Sequence, residues 1–586
     1  MTYFLKKTTP SSKGVYLQIY QSYYVPGKGN RNKSYQKIGY IKDLIDKGID
    51  DPISYFQKIV DDLNLKSGII KDKQIGSVPV NKNLGIFLVK SMFDKLNMDN
   101  HLNIVGSTLK SHYMFSDLFR SMVYAQILSP GSKLKAYEKV IPTIYGSKEY
   151  SYDQILDFIE FIGMDYHKYI EVLNYHINKA YKRDINKVYF DCTNYYFEID
   201  LEDEFRMKGP SKEERHLPLV SQALLLDSEQ IPLDTEFFPG NESEKPYLRK
   251  VLEEMKDRNE ITGRIIEVAD KGLNCARNIY SAVIEANDGY IFSKSIKGRN
   301  ITEKQKEWIL YDDNKINKWV KVYDNNGDLI YKYKVAKSIE NGNIKDYGTY
   351  SYKCKLDDND EKETIFTVKE KRILTYNPSL ARKQKQEIMK EVEKAKSYKS
   401  YKDSIKEDIG SSAKYLNIVT KDENGKKVKV ITSLNQEKID EDLMYAGYNL
   451  LITSEINEDP EKIYKIYHNL WRIEESFRVL KTYLEARPVF LSNKNSIIGH
   501  FTICYISLAL MRLLELKVFN DEIPIGQLFE FIRQYYVTEN YDGSYINASS
   551  ESETYFKVKE KMGLSKLGNV YLSKRDTDNI LNAQID

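Results

Sequence analysis

Apolar and polar positions alternate in two runs near the start of the chain, "GVYLQIYQSYYV" (14–25) and "SYQKIGYI" (34–41), separated by "PGKGNRNK". A period of two broken by a Gly/Pro/Asn turn predicts a β-hairpin. From about residue 83 to 182 the spacing changes to three and four, in "NLGIFLVKSMFDKLNM", "FSDLFRSMVYAQIL" and "DQILDFIEFIGM", which predicts helices. At 187 it changes again. "KVYFDCTNYYFEI" (187–199), "LVSQALLLD" (219–227) and "PLDTEFF" (232–238) read as three successive strands. A helix (244–258), a strand "RIIEVAD" (264–270), a helix (274–286) and a strand "GYIFSKSI" (289–296) come next. Three strands, then helix, strand, helix, strand, predict a mixed sheet covered by helices, the order an RNase H-like sheet would show. Residues 298–440 are β-rich around a charged helix at about 378–407, with Asn-Gly turn signals in "NNGD" and "ENGK", and are expected as an inserted subdomain. "GYNLLITSE" (447–455) is a further strand, and "DPEKIYKIYHNLW" opens a helix with Asp459 as N-cap and Pro460 at its first position.

The expected fold is therefore a multidomain α/β (α+β) chain. Its predicted parts are a basic β-hairpin region (1–80), a helical DNA-binding or dimerisation region (81–182) and an RNase H-like domain in two pieces (183–297 and 441–520). The β-rich insertion (298–440) separates those pieces, and a C-terminal region (521–586) completes the chain. A length of 586 residues exceeds what one core supports. The net charge of +3 separates no function class, but its distribution does. Residues 1–42 hold eight Lys/Arg and no Asp or Glu, an arm able to meet a polyanion; a solvated strand surface is the equal alternative. Cys192, Cys275, Cys354 and Cys504 are scattered, which suggests neither a disulfide framework nor a zinc site and fits a reducing compartment. The N-terminus has no apolar signal region. The apolar run 501–518 is interrupted by Arg512, Glu515 and Lys517, so it is expected as a buried helix rather than a membrane span. A cytoplasmic protein without membrane contact is expected.

Charge inside apolar strands is costly unless paired or bound to a cation. Asp191 lies within "VYFDCTNYYF" and Asp270 ends "IIEVAD", where open sheets bind ligands; capping of the next helix is the bland reading of Asp270. In "YHNLWRIEESFRVLKTYLEARP" (467–488), a continuous helix puts Ile466, Leu470, Ile473, Phe477, Leu480 and Leu484 in one stripe. At about 100° per residue, Glu474 borders that stripe beside Arg478 and Lys481, in register with Tyr467. Glu475 and Arg472 are expected to point to solvent. Two strand carboxylates and one helix carboxylate form a site for hard divalent cations, and two such ions polarise both oxygens of an in-line phosphoryl displacement. Coincidence stays open on spacing alone, since the chain has 85 acidic residues.

At "YHNLWRIEESFRVLK" the chain resembles the DDE transposases of bacterial insertion sequences. More closely, it is similar to the group with a Tyr-Arg-Glu-Lys signature on the catalytic helix and a β-strand insertion before it. Tyr467, Glu474 and Lys481 stand at the signature spacing; Leu470 occupies the arginine position, which leaves Arg472 or Arg478 to supply that contact. "VYFDCTNYYFE", "VADKGLNCARNI", the segment between them and "ILSPGSKLKAYE" resemble further family segments. The resemblance implies cutting at element ends and joining of 3′-hydroxyls to target DNA. Asp191, Asp270 and Glu474 would be the catalytic ligands of two Mg²⁺ ions, for which Mn²⁺ can substitute. Tyr467, Arg472, Arg478 and Lys481 would contact DNA, with Lys212 and Arg215 of a charged hairpin as further candidates. It also implies terminal inverted repeats and target duplex as partners, a homodimer in the synaptic complex and work at the nucleoid. Several relatives flip a base onto a tryptophan, for which Trp308 and Trp319 are weak candidates; buried core aromatics are the better reading of both. His216, His468 and His500 fit surface or core positions. An RNase H-like nuclease without strand transfer, or a catalytically silent DNA-binding descendant, are the alternatives.

Overall fold

The computed structural model describes residues 2–11, 14–25, 29–66, 81–109, 114–145, 150–210, 217–259, 261–297, 301–310, 318–357, 360–398, 410–421, 427–540 and 544–585. Two compact units divide the chain, Met1–Pro79 and Val80–Asp586.

In the first unit, β1 (Thr2–Ser11), β2 (Gly14–Val25) and β3 (Gly29–Tyr40) form an antiparallel sheet in that order. Helices α1 (Ile41–Ile45) and α2 (Pro52–Lys66) come after it. Leu17, Ile19 and Gln21 alternate along β2 and are buried with Leu44 and Val60 of the helices. Asn64 ties α2 to β1, accepting from the Tyr3 amide at 2.7 Å and donating to its carbonyl at 2.9 Å. The expected hairpin is thus part of a three-stranded sheet. The polar run Lys6–Lys7–Thr8–Thr9 hides the period of β1, because both faces of that stretch are polar.

The second unit opens on a short strand, Asn81–Asn83, and continues with helices, among them α3 (Phe115–Leu128), α4 (Tyr152–Met164) and α5 (Tyr166–Tyr181). A ten-stranded mixed sheet comes next. Its strands are β4 (Lys187–Tyr196), β5 (Leu219–Leu226), β6 (Pro232–Pro239), β7 (Ile266–Ala269) and β8 (Gly289–Lys294). They continue with β9 (Val320–Tyr323), β10 (Leu329–Val335), β11 (Gly348–Cys354), β12 (Thr364–Tyr376) and β13 (Tyr448–Thr453). The order is β9-β10-β12-β13-β8-β7-β4-β5-β6, with β11 on β12. β4, β7 and β8 run parallel, and the other pairs are antiparallel. The half formed by β6-β5-β4-β7-β8 has the meander-then-crossover order expected from the sequence. Strands from the predicted insertion extend the same sheet through β12 and β13.

Alternation along β4 separates two cores. Tyr189 and Tyr195 face one, shared with the helical region; Val188, Phe190 and Cys192 face the other, which is covered by α6 (Glu244–Arg258). The first core contains α7 (Pro460–His468), α8 (Trp471–Thr482) and α9 (Lys494–Leu513). Asp459 caps α7 as predicted, accepting from the amides of Glu461 and Lys462. Among the described residues Lys494–Val518 is the one stretch long and apolar enough to cross a membrane, and it is wholly buried in the fold. Backbones of α4 and α9 meet at two glycines. A Cβ on Gly163 would lie 1.7 Å from the Asn495 carbonyl, and one on Gly499 1.9 Å from that of Ile159.

Candidate active site

The parallel pairing of β4 and β7 ends with Phe190 opposite Ala269. The next residues are Asp191 and Asp270, so the two carboxylates occupy neighbouring positions on strands about 4.8 Å apart. Alternation puts Asp191 on the face of Tyr189 and Asp270 on that of Val268, which is the face of the first core, where α7 and α8 pack. Both aspartates are partly exposed. Asp191 Oδ1 accepts from the Cys192 amide at 2.7 Å. Tyr467 Oη donates to Asp270 Oδ1 at 3.0 Å, which ties the second carboxylate to the last turn of α7. Burial, joined by the Asp270 charge, pushes the Tyr467 hydroxyl well above its ordinary value, so it stays a donor.

The predicted single helix is two. Leu470, Arg472 and Ile473 donate to Tyr467, Asn469 and Leu470, three residues back, so the backbone tightens between α7 and α8 and rotates the turns of α8. Leu470, Ile473, Phe477, Leu480 and Leu484 of the predicted stripe are buried, and Ser476 and Val479 join them, so the buried arc is wider than the stripe. Glu474 is exposed, and among the described residues no hydrogen bond or ion pair engages it.

Glu475 differs from the expectation. Its side chain is only 14% exposed, and it meets Arg512 at 3.0 Å, Arg472 at 3.1 Å and Arg478 at 3.2 Å. Arg512 is fully buried in α9 and also pairs with Glu515 at 2.5 Å. Burial alone would raise the Glu475 carboxyl, but Arg512 and Arg472 outweigh it and hold it below its ordinary value. Arg472 further binds Asp521. Helical register alone sends Glu475 and Arg472 to water, because in the sequence Arg512 and Glu515 look only like interruptions of an apolar run. They are the covering partners.

Lys481 lies over the Tyr195 ring, 5.6 Å from its centre, on the face that carries Asp191. Arg478 is exposed and linked to Glu475. Lys212, Arg215 and His216 lie outside the described residues. His468 stacks on Tyr464. His500 is buried against Lys133, 3.0 Å away, away from solvent.

A cavity of about 890 Å³ opens on the other face of the sheet, that of the second core, lined by Lys271, Lys294, Lys297, Lys304, Lys337 and Arg372, with Trp308, Tyr350 and Tyr352 and no carboxylate. The cations come from β8, β12 and the connecting segments, too far apart in sequence for any local pattern to reveal. Trp308 is part of its wall, and its indole N–H has no partner among the described residues. Trp319 instead packs under Lys332 and Lys334.

Carboxylate oxygens at neighbouring strand positions, with an unengaged glutamate on the adjoining helix, fit hard divalent cations. A second group, His167, Glu236 and Glu254, has its ligand atoms all within 4.8 Å. There the oxygens of Glu236 are taken by Tyr166 at 2.9 Å, His167 at 3.1 Å and Lys250 at 3.1 Å, which makes it a closed ion-pair network.

Paired carboxylates at neighbouring positions of parallel strands form an oxygen-ligand site suited to divalent cations. Residues 197–510, more than half of the chain, match the Transposase DDE domain, and the chain belongs to that family. The matched span contains Asp270 and Glu474 and begins just after Asp191. A search of the curated proteins finds no match.

Proposed function

We propose that this transposase cuts DNA at the ends of an insertion sequence and joins the freed 3′-hydroxyls to target DNA, with Asp191, Asp270 and Glu474 as its catalytic carboxylates. The observation that carries the reading is the register of β4 and β7, which brings Asp191 and Asp270 together beneath the two helices bearing Tyr467 and Glu474. The three carboxylates would hold two Mg²⁺ ions, and Mn²⁺ can replace them. When bound, such ions stabilise charge on the attacking and leaving oxygens of an in-line displacement.

The chain's own residues supply the rest. Tyr467 fixes the Asp270 carboxylate through its hydroxyl, a contact that constrains ligand orientation. Lys481, on the face of Asp191, offers a cation to a backbone phosphate. Arg472 is committed to Glu475 and Asp521, so the Arg place of the Tyr-Arg-Glu-Lys signature falls to Arg478, whose side chain is 65% exposed. Lys212 and Arg215 add contacts to the element ends. The active assembly is a homodimer on paired inverted repeats, working at the nucleoid in the cytoplasm, a compartment suited to four free thiols.

The test is product mapping. A plasmid carrying the coding region with its native flanks is incubated with purified protein and Mg²⁺, and ends and junctions are sequenced. Recurrent 3′-ends at inverted repeats, joined to new DNA, are expected. Scattered nicks without junctions would replace this reading with that of a nuclease.

A further inference from the structure

Among the described residues of the first unit, helices cover one face of the sheet and leave the other open, and the open face is chemically distinctive. The pairings place Lys6, Gln18 and Lys37 in one row across the three strands. The rows beside it are Phe4–Tyr20–Ser34 and Thr8–Tyr16–Tyr40, and Ser22 pairs with Asn32 beyond. These residues alternate with Leu17, Ile19 and Gln21, which are buried under α1 and α2, so they lie on the opposite side. Every residue of β3 from Asn30 to Lys37 is exposed. Lys6 sits 4.5 Å over the Tyr20 ring, and Tyr16 meets Tyr40 edge-on at 4.9 Å, which gives the face a fixed aromatic floor. The first acidic residue of the chain is Asp43, beyond the last strand of the sheet.

We infer that this face is the surface that reads the sequence of duplex DNA, lying in the major groove. The inference rests on the reading of the chain as a DNA-cutting transposase and names what directs it to its ends. Charge decides the partner class: Lys6 and Lys37 lie on the face, and residues 1–42 hold eight cations and no anion in all, which suits a polyphosphate backbone. Shape narrows it to the duplex. Two neighbouring strands about 4.8 Å apart fit the B-form major groove, which is about 12 Å wide and admits a two-stranded ribbon; β-sheets are known to read it. The central row and the Ser22–Asn32 row beyond carry side chains with base-edge chemistry. Gln18 and Asn32 match the donor–acceptor pair of adenine, and Lys6 and Lys37 suit guanine acceptors or flanking phosphates. A-form RNA closes that groove to side chains, so duplex RNA is not the ligand.

The experiment uses the full-length chain, a randomised 20-base-pair duplex library and, from it, the selected duplex. Wild type is expected to enrich one motif. Lys6→Ala lowers the slope of log affinity against log salt by about 1, whereas Lys58→Ala, the same charge change on α2, leaves it unaltered. Gln18→Ala weakens discrimination at one motif position by about 5- to 150-fold while circular dichroism stays that of wild type. Duplex RNA of the same sequence fails to compete. No enriched motif, equal effects of Lys6→Ala and Lys58→Ala, or equal competition by RNA each overturn the inference. Asp191→Asn separates it from the catalytic reading. That chain is expected to select the same motif with the same slope, so an intact motif without any DNA cutting by wild type would sink the catalysis and leave the reader face standing.

Discussion

Arg512 carries a full charge inside α9 with no solvent exposure, and Glu475 and Glu515 neutralise it at 3.0 and 2.5 Å. Removing Glu475 takes away one of its two carboxylates and leaves Glu515, so Glu475→Ala should cost about 2 kcal/mol, read as a shift in the urea midpoint. Glu474 has no such role: Glu474→Ala should leave the midpoint unchanged. Tyr467 acts on activity through Asp270. Losing its hydroxyl frees a carboxylate that must hold its orientation, and Tyr467→Phe should lower the cleavage rate about 10- to 100-fold with unchanged folding. A wild-type rate for Tyr467→Phe would remove the positioning role.

Helices α4 and α9 touch backbone to backbone because Gly163 and Gly499 leave no side chain between them. Gly499→Ala drives a methyl into a carbonyl and should cost about 1–3 kcal/mol, measured by urea unfolding. Strand β6 is held to α5 and α6 by Glu236. Burial raises its carboxyl, but the bonds from His167, Lys250 and Tyr166 prevail and bring it down to about 2, from 4.5. A depressed carboxyl contributes stability that is present above its ordinary value and lost as pH falls through its folded one. The contribution, on the order of 3 kcal/mol, therefore disappears between about pH 4.5 and 2. Glu236→Gln should flatten the stability profile in that window; an unaltered profile would contradict the assignment. At this level the sequence was readable where one period held. The strands of the sheet and the cap at Asp459 are consequences of alternation and local chemistry. The break between α7 and α8 is not, because "HNLWRI" contains no Gly or Pro to mark it.

Across the whole chain, order along the sequence could be read, and pairing at a distance could not. Asp191 and Asp270 stood out as charges in apolar strands, and the parallel register that joins them had no local signal. The same holds for the cations around the cavity, which β8 and β12 contribute from opposite sides of β13. Helical register separates the two glutamates but assigns their surroundings the wrong way round: Glu474 is the exposed one, and Glu475 is the one held by arginines. That distinction carries the central claim. Single-turnover Mg²⁺-dependent cleavage of end-bearing DNA should be abolished in Asp191→Ala, Asp270→Ala and Glu474→Ala, each folded as wild type, and retained in Glu475→Ala below its lowered melting point. Robust cleavage by Glu474→Ala, or its loss in folded Glu475→Ala, would contradict the site described.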